Sequence, residues 1–408
     1  MPGKKRFSGY FTFSRFETGI WIMVIIRFLG FFGFAVSGPY FMLYLSRDRG
    51  LTLTFAGMLV ALSGLGSAFS QVLGGVFTDR FGRRRTILLF YGLGTLLNIV
   101  LTLMVADSTA MWLFAAVYIM GGLVWGMTQP AVTAVITDLA PKEKLTEAFG
   151  LAQIIANVGW IFGPLLGGYM YSHNSFTYII AITIVTSAFS FLLALTALHD
   201  SFTGNKVKTN WRDAFSFRGD NALLTYLLLN MLVFIVYPLI SNTFSVFTVD
   251  RLGFTTTQYG LLMTVNAVVL VVLQHPVTRL VDIRLGDKNA LVWGSILFGA
   301  AYLSFSWITS FGWSVAAIII FTAGELLFIP SASSTVGRLS GPEQRGKYMG
   351  ILGTSTGIGI AIGPLLGGAL LDVSGSNPIV TWGPIAAITF IAGLGYLRWF
   401  SAYGKKLQ

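Results

Sequence analysis

Long apolar runs separated by short polar breaks dominate the hydrophobicity pattern of this chain. Twelve runs can be drawn along its 408 residues, each long enough to cross the ~30 Å hydrocarbon core of a bilayer as a helix. Helices satisfy their own backbone hydrogen bonds in lipid, and runs this continuous are not alternating barrel strands. The pattern therefore predicts an all-α polytopic membrane protein with 12 transmembrane helices. The predicted spans are 18–44, 53–78, 86–106, 110–137, 148–171, 177–198, 221–247, 257–278, 290–309, 313–337, 348–372 and 379–399.

The sequence also repeats itself at a separation of 200 residues. The string Gly-Pro-Leu-Leu-Gly-Gly occurs at 163–168 and again at 363–368, and the same offset relates Gly159 to Gly359. Each copy holds six spans, an even number, so the two copies are expected to be parallel repeats with a substrate site between them near the midplane. The predicted organisation is a six-helix bundle over 1–198, a cytoplasmic linker over 199–220 and a second six-helix bundle over 221–408.

Composition supports a membrane protein and narrows the expected partners. Hydrophobic residues make up 54% of the chain and charged residues 11%, whereas a soluble domain carries about 25% charged residues. The chain has no cysteine, which excludes disulfides and thiolate metal sites, and its three histidines have no partner at metal-ligand spacing. Membrane lipids are the expected partner of the +11 net charge, and nucleic acid is not.

The distribution of basic residues predicts the orientation. If the N-terminus is inside, 23 of the 27 Lys and Arg residues fall in the inner segments, while Arg47, Arg49 and Arg251 fall outside and Arg27 lies within a span. The positive-inside rule then places both termini in the cytoplasm, in a multi-pass protein of the cell (inner or plasma) membrane. The basic N-terminal segment leads into a long apolar run without a small-residue cleavage site, so it is expected to be a retained first span.

A charged loop with defined spacing follows the second span. A glycine there allows close helix approach, an acid can accept from arginines or lie against a helix N-terminus, and a second glycine permits a tight turn. The string closely resembles the loop 2–3 signature of the major facilitator superfamily, G-x-x-x-D-R-x-G-R-R/K-x. The resemblance covers nearly all of the chain and implies that fold, with alternating access. The residues that carry it are Gly75, Asp79, Arg80, Gly82, Arg83 and Arg84.

Span five carries a second signature, which resembles the G-x-x-x-G-P-x-x-G-G motif of the drug/proton antiporter branch. Small residues four positions apart favour close helix packing, and the proline favours a bend. The motif residues are Gly159, Gly163, Pro164, Gly167 and Gly168. Span eleven repeats them as Gly359, Gly363, Pro364, Gly367 and Gly368, so a plain packing role stays open for both. Many antiporters of this branch carry an arginine in the middle of span four, but residues 118–130 here carry no charge.

Two ionisable residues lie inside predicted spans. A carboxylate at the position of Glu325 is expensive in lipid, so we expect it to face a cavity and exchange a proton, although a fixed salt bridge is the alternative. Its Gly-Glu-x4-Pro context resembles span ten of some multidrug/proton antiporters. Arg27 could pair with Glu325, hold substrate, replace the missing arginine or extend towards the inner leaflet. Weaker cavity candidates are Gln129, Asn157, Asn230 and Asn266.

The expected function is secondary active transport of a small molecule. The resemblance implies proton-coupled efflux of small lipophilic or cationic compounds by a monomer, with the proton gradient as energy source and no cofactor. The alternative is a proton-coupled importer or uniporter of sugars or organic anions on the same fold, with Arg27 as the anion contact. An enzyme is not expected, because only Arg27 and Glu325 are charged within the spans.

Overall fold

Within the part of the chain that the structure describes, every regular element is a helix. The computed structural model describes residues 16–106, 110–141, 144–173, 175–199, 221–340 and 345–404. Apart from His199, the predicted linker lies outside these residues. Eleven helical stretches among them are long and apolar enough to cross a membrane.

The helices follow the predicted spans closely. The first half of the fold consists of α1 Thr18–Arg47, α2 Leu53–Phe81, α3 Arg83–Ala106, α4 Met111–Leu139, α5 Leu145–His173 and α6 Phe176–Ala197. The second half consists of α7 Asn221–Val236, α8 Thr256–Leu280, α9 Gly286–Ser304, α10 Phe311–Leu339, α11 Arg345–Val373 and α12 Pro378–Tyr403. Beyond α7 the chain continues in short helical turns as far as Arg251.

The eleven stretches correspond to twelve helices because one of them, Thr256–Trp307, contains both α8 and α9. Asn266 of α8 and Phe298 of α9 both contact α10, at Thr322 and Phe321 respectively. In a straight helix these two residues would be ~48 Å apart, so the chain folds back between them. Gly286 makes the turn with a φ of +68°, a backbone conformation that suits glycine.

Local sequence explains where several helices begin. The Thr52 hydroxyl accepts from the Phe55 amide at the start of α2. Thr255 and Gln258 form a reciprocal capping box at the start of α8, and the Ser310 hydroxyl caps α10. These caps satisfy backbone donors that have no partner within the helix, so they fix the short connections at one end of the bundle.

The two halves repeat one packing scheme. In the first half, α1 packs on α5 and α6, α2 packs on α4, and α3 packs on α4 and α6. In the second half, α7 packs on α11 and α12, α8 packs on α10, and α9 packs on α10 and α12. Every one of these first-half contacts therefore recurs six helices later, as expected for a duplicated unit.

The halves meet through α5 with α8 and through α2 with α11. A Cβ at Gly168 would overlap the Thr256 carbonyl oxygen, and a Cβ at Gly368 would overlap the Leu53 carbonyl oxygen. These contacts lie where α2 and α8 begin, which we call the outer end; we call the opposite end, which contains Arg83, the basic end. Glycine at these positions lets backbone touch backbone between the halves.

Polar contacts also join the halves at the outer end. The Asp372 carboxylate, at the end of α11, accepts from the backbone N–H groups of Leu53 and Thr54 at 3.1 and 2.7 Å. An acid at a helix N-terminus is favourable, and here it belongs to the other half. Arg47 forms an ion pair with Asp250 across the halves, at 2.5 Å from Nε to Oδ1.

Towards the basic end the halves separate. Added Cβ atoms at Gly75 of α2, Gly150 of α5, and Gly350 and Gly353 of α11 would meet nothing within 4 Å, although these helices carry the inter-half contacts further out. The structure is therefore closed at the outer end and open between the halves at the basic end.

Gly168→Ala is expected to shift the protein towards an open outer end, because the added Cβ would overlap the Thr256 backbone. Overpacking of this kind costs about 1–3 kcal/mol, equivalent to about a 5- to 150-fold shift. The distance between spin labels on cysteines introduced at Trp112 and Val373, in opposite halves at the outer end, measures this opening. Gly150→Ala in the same helix is the matched control. Equal distance distributions in the two variants would contradict the prediction.

Candidate functional site

Glu325 lies in the middle of α10 and is buried, with 7% of its surface exposed. The Tyr237 hydroxyl donates to Oε1 at 2.6 Å, and the Asn266 amide donates to Oε2 at 3.1 Å. Asn266 also donates to the Thr322 hydroxyl at 2.9 Å. The acid is thus held by groups from two other helical segments, the continuation of α7 and α8. Asn266, a weaker candidate in the sequence, belongs to this site.

Aromatic rings surround this acid. Tyr237 packs beside Phe321 with ring centroids 6.1 Å apart, and Phe321 contacts Phe298 at 4.9 Å. No ion pair among the described residues includes Glu325. A carboxylate without a cation in such surroundings is costly, whereas a proton or a cationic ligand would remove that cost. The arrangement is therefore suited to exchange one for the other.

Arg27 forms a separate polar cluster in the first half. Its Nη2 donates to the Gln153 side-chain oxygen at 3.4 Å, and Gln153 donates to Asn157 at 3.1 Å. Its guanidinium lies 5.5 Å from the centre of the Phe31 ring. The buried Nε has no hydrogen-bond partner among the described residues. The predicted alternative in which Arg27 pairs with Glu325 is not observed in this structure.

The Arg27 cluster lies on the face of α5 that points towards the other half. Thr264 of α8 donates to the Ile161 carbonyl of α5 at 2.8 Å. Asn157 and Gln153 lie one and two turns further along the same face, where the halves have separated. The amides therefore border the space between the halves.

The repeat shows that the two charges are not equivalent. Gly159 packs against Phe32 where Gly359 packs against Phe234, and Gly167 packs against Val36 where Gly367 packs against Leu239, so an offset of 202 or 203 residues relates α1 to α7. Arg27 then corresponds to Leu229 or Asn230, both uncharged, and Asn230 donates to the Thr356 hydroxyl at 3.0 Å. At the offset of 200 residues found in the sequence, Glu325 corresponds to Trp125. Each half thus carries one charge that its partner half lacks.

Gln129, the remaining weak candidate, bonds the hydroxyl of its neighbour Thr128 at 3.5 Å. This contact joins it to neither polar cluster. The glycines of the span-five and span-eleven motifs serve packing in both copies: Gly159 packs on Phe32 of α1, and Gly359 packs on Phe234 of α7. Their common role is to let α5 and α11 approach their neighbours closely.

The loop 2–3 residues form an ion-pair cluster at the basic end. Arg83 bonds Asp79 at 3.3 Å and Asp138, at the end of α4, at 2.9 Å. Arg84 donates to the Leu195 carbonyl of α6 at 2.9 Å, while Arg80 lies over the neighbouring Phe81 ring. These partners all belong to the first half, so the loop ties α2, α3, α4 and α6 together.

The second half contains the same ion pair with its charges exchanged. Gly82 and Gly286 both begin a turn with positive φ and nearly equal ψ, 158° and 160°. The residue that follows is Arg83 in one half and Asp287 in the other. Asp287 bonds Arg338 at 3.4 Å, and Arg338 lies 200 residues after Asp138. Both halves therefore join the same two helices of the repeat by an ion pair, but the acid and the base have exchanged positions.

Several residues on which these contacts depend were not predicted from the sequence. Tyr237 could have been noticed because it precedes Pro238 within a span, a position that interrupts helical hydrogen bonding. Asp138 and Arg338 stand at equivalent positions of the repeat with opposite charges, which is a readable signal. Asp372 gives no such signal, because its partners are backbone groups.

Arg338→Gln is expected to destabilise the fold more than Asp287→Asn. Asp287 is buried, so loss of the guanidinium leaves a buried carboxylate with the Ser334 hydroxyl as its remaining donor, at 3.0 Å. The expected loss is about 1–3 kcal/mol. Asp287→Asn leaves a half-exposed arginine that water can solvate, and is expected to cost under about 1 kcal/mol. Thermal unfolding of the purified variants measures both, and equal losses would refute this asymmetry.

A family model and several curated relatives resemble this chain over most of its length, and they point to the same family. The sequence model of the Major Facilitator Superfamily matches residues 23–258 and 226–403. The uncharacterized MFS-type transporter YqjV of Bacillus subtilis (strain 168) is 27% identical over 385 residues, covering 92% of each chain. The quinolone resistance protein NorA of Staphylococcus aureus (strain MSSA476) is 25% identical over 376 residues, covering 88% of this chain and 92% of NorA.

Solved structures share the fold at low sequence identity. A POT family transporter in complex with a thioalcohol-conjugated peptide superposes with a TM-score of 0.78 at 15% identity, covering 96% of each chain. The nucleoside transporter NupG gives 0.78 at 16% identity, covering 94% of this chain and 99% of NupG. These structures show the shared fold, and the family model, which matches most of the chain, shows that the chain belongs to the Major Facilitator Superfamily of membrane transporters.

Proposed function

We propose that this transporter exports small lipophilic or cationic compounds in exchange for protons by alternating access. The observation that carries the proposal is Glu325, an acid in the middle of a membrane span, without an ion-pair partner among the described residues and surrounded by aromatic rings. The similarity to a protein named for quinolone resistance supports export. The proton gradient would supply the energy, and no cofactor is needed.

In the proposed cycle, Glu325 binds either a proton or a substrate cation. With the basic end open, the acid releases its proton, and a cationic substrate takes its place. The halves then separate at the outer end and close at the basic end. A proton from the other side displaces the substrate, and the protonated carrier returns. Each event neutralises the same carboxylate, so the two ligands compete.

The orientation and setting are part of this proposal. The basic end would face the cytoplasm, with both termini on that side. Among the described residues, the α2–α3 and α8–α9 connections at that end carry or flank Arg80, Arg83, Arg84, Arg85, Arg279, Arg284 and Lys288, whereas Arg47, Arg49 and Arg251 lie at the outer end. The protein would act as a monomer in the cell membrane, with lipids in contact with its many exposed apolar side chains. The open end of this structure would then admit substrate from the cytoplasm.

Glu325→Gln is expected to abolish proton-coupled transport while leaving the fold intact, because a glutamine has the same shape and can still accept one of the two hydrogen bonds but cannot exchange a proton. Inside-out vesicles with an acidic interior, supplied with ethidium or a quinolone in the outside solution, measure the coupled uptake. Glu325→Asp, which keeps the carboxyl group, should retain part of it. Undiminished coupling in Glu325→Gln would refute the role given to this acid.

A second candidate function is transport of organic anions, and the unpartnered Nε of Arg27 beside the inter-half space favours it. In that case Arg27→Gln should reduce transport of an anionic compound such as benzoate by about tenfold or more, as expected for a lost charged hydrogen bond. Ethidium transport should be almost unchanged. Arg27→Lys controls for charge alone. If Arg27→Gln instead reduced ethidium transport more than benzoate transport, the result would support the export of cations.

A further inference from the structure

The segment that follows α7 is a break inside a membrane span. The α-helix ends at Val236, a 3₁₀ turn covers Tyr237–Ile240, and helical structure resumes at Thr243. The whole stretch Asn221–Arg251 is long and apolar enough to cross a bilayer. Its counterpart in the first half, α1, runs without interruption from Thr18 to Arg47 although it contains Pro39. The break is therefore a property of the second half alone.

Side chains hold the backbone of this break. The Tyr302 hydroxyl of α9 donates to the Val236 carbonyl at 2.5 Å. The Tyr259 hydroxyl of α8 donates to the carbonyls of Ile240 and Ser241, both at 3.2 Å. The Asn242 amide donates to the Pro238 carbonyl at 3.0 Å. Irregular backbone at membrane depth persists only where such groups are satisfied, so the neighbouring helices stabilise this particular shape.

The first residue of the break is bound to the acid of the candidate site. Tyr237 donates to Glu325 at 2.6 Å, and its ring packs between Phe234, 5.7 Å away, and Phe321. A hydrogen bond to a charged carboxylate is about twice as strong as one to a neutral group. Loss of the charge on Glu325 therefore weakens the contact that fixes Tyr237.

The far side of the break carries a contact between the halves. Thirteen residues after Tyr237, Asp250 forms the ion pair with Arg47 of α1. Between them, Phe244 and Phe247 pack on Trp382 of α12, with centroids 6.1 and 5.2 Å away. The segment is thus attached to Glu325 at one end and to the opposite half at the other.

We propose that Tyr237 is a positioning residue that locks the outer end while Glu325 is charged and empty. This inference rests on the proposed function. Neutralisation of Glu325, by a proton or by a substrate cation, would release Tyr237, let the α7 break change shape and allow Asp250 to part from Arg47. The empty charged carrier would stay closed. Such a lock prevents uncoupled flux of substrate or protons, because the carrier changes conformation only when Glu325 holds a proton or a substrate cation.

Other groups that titrate near this path must be separated from Glu325. Tyr237 contacts Glu325 from the α7 break and Asn266 contacts it from α8, while α9 contributes the Tyr302 hydroxyl, which donates to the Val236 carbonyl next to Tyr237. At the outer end, the carboxylates of Asp250 and Asp372 take part in contacts between the halves. The pH dependence of opening therefore has to be measured with and without Glu325.

The experiment measures outer-end opening and coupling in the full chain, reconstituted in liposomes. The chain has no cysteine, so labels at Trp112→Cys and Val373→Cys report the distance between the halves without background. The parent should be closed at high pH and partly open at low pH. Tyr237→Phe should raise the open fraction at high pH about tenfold, the equivalent of one hydrogen bond to a charged group. It should also allow downhill ethidium flux without a proton gradient.

Two further variants guard against a merely structural effect. Tyr396→Phe removes another buried hydroxyl, one without a hydrogen-bond partner among the described residues, and should behave as the parent. Tyr302→Phe loosens the break from α9 and should also raise the open fraction, which keeps the test available if Tyr237→Phe does not fold. A closed outer end at high pH in Tyr237→Phe, or in Tyr302→Phe where that variant stands in for it, would overturn the lock. So would a parent whose open fraction does not respond to pH.

Glu325→Gln separates failure of the lock from failure of the proposed function. If the lock exists, this variant lacks the charge that closes it. It should then be partly open at the outer end at every pH and should move no protons. If its opening still responds to pH, the outer carboxylates control the gate and the lock is wrong. If it still exchanges protons for ethidium, the proposed function is wrong. If it is uncoupled while Tyr237→Phe stays closed at high pH, the coupling role of Glu325 survives and the lock does not.

Discussion

The close approach of backbones at the outer end is the constraint on which the rest of this structure depends. Glycines at 57, 168, 260 and 368 let α2 meet α11 and let α5 meet α8 without intervening side chains. Contact this close is possible over only part of each helix, so the halves diverge towards the basic end. The ion pairs at that end stay within their own halves, which allows each half to move as a unit.

A duplicated scaffold makes its asymmetries informative. Packing glycines recur in both halves, because both copies need the same helix contacts. The charges inside the spans do not recur: Arg27 stands opposite the uncharged Leu229 and Asn230, and Glu325 stands opposite Trp125. The ion pair at the basic end recurs with its charges exchanged. Arg83 pairs with Asp138 in the first half, and Asp287 pairs with Arg338 at the equivalent positions of the second half. The residues that packing requires are therefore the same in both halves. The ion pair requires only opposite charges, so its acid and base can exchange positions.

Much of the fold could be predicted because lipid imposes a simple rule on sequence. The first span was expected at 18–44 and α1 is Thr18–Arg47, and the turn between α8 and α9 falls in the expected polar break. Glu325 and Asn266 were both expected to border a cavity, and the Asn266 amide donates to the Glu325 carboxylate. That Arg27 lies with Gln153 and not with Glu325 could not be predicted, because hydropathy says which residues are in the membrane but not which helix faces meet. Tyr237 was missed although Pro238 marked the break.

The break after α7 shows why a buried acid needs more than a cavity to couple two ligands. Burial alone makes the charged form of Glu325 costly, but that cost is the same whether a proton or a cation removes it. Exchange requires in addition that the charged, empty protein does not change between its two open conformations. The charge on Glu325 therefore has to stabilise one of them. In the proposed lock a hydrogen bond from Tyr237 does this, because its strength depends on the charge of its acceptor and its donor belongs to the segment that holds the outer ion pair. A continuous helix such as α1 could not transmit a local change of this kind without moving as a whole.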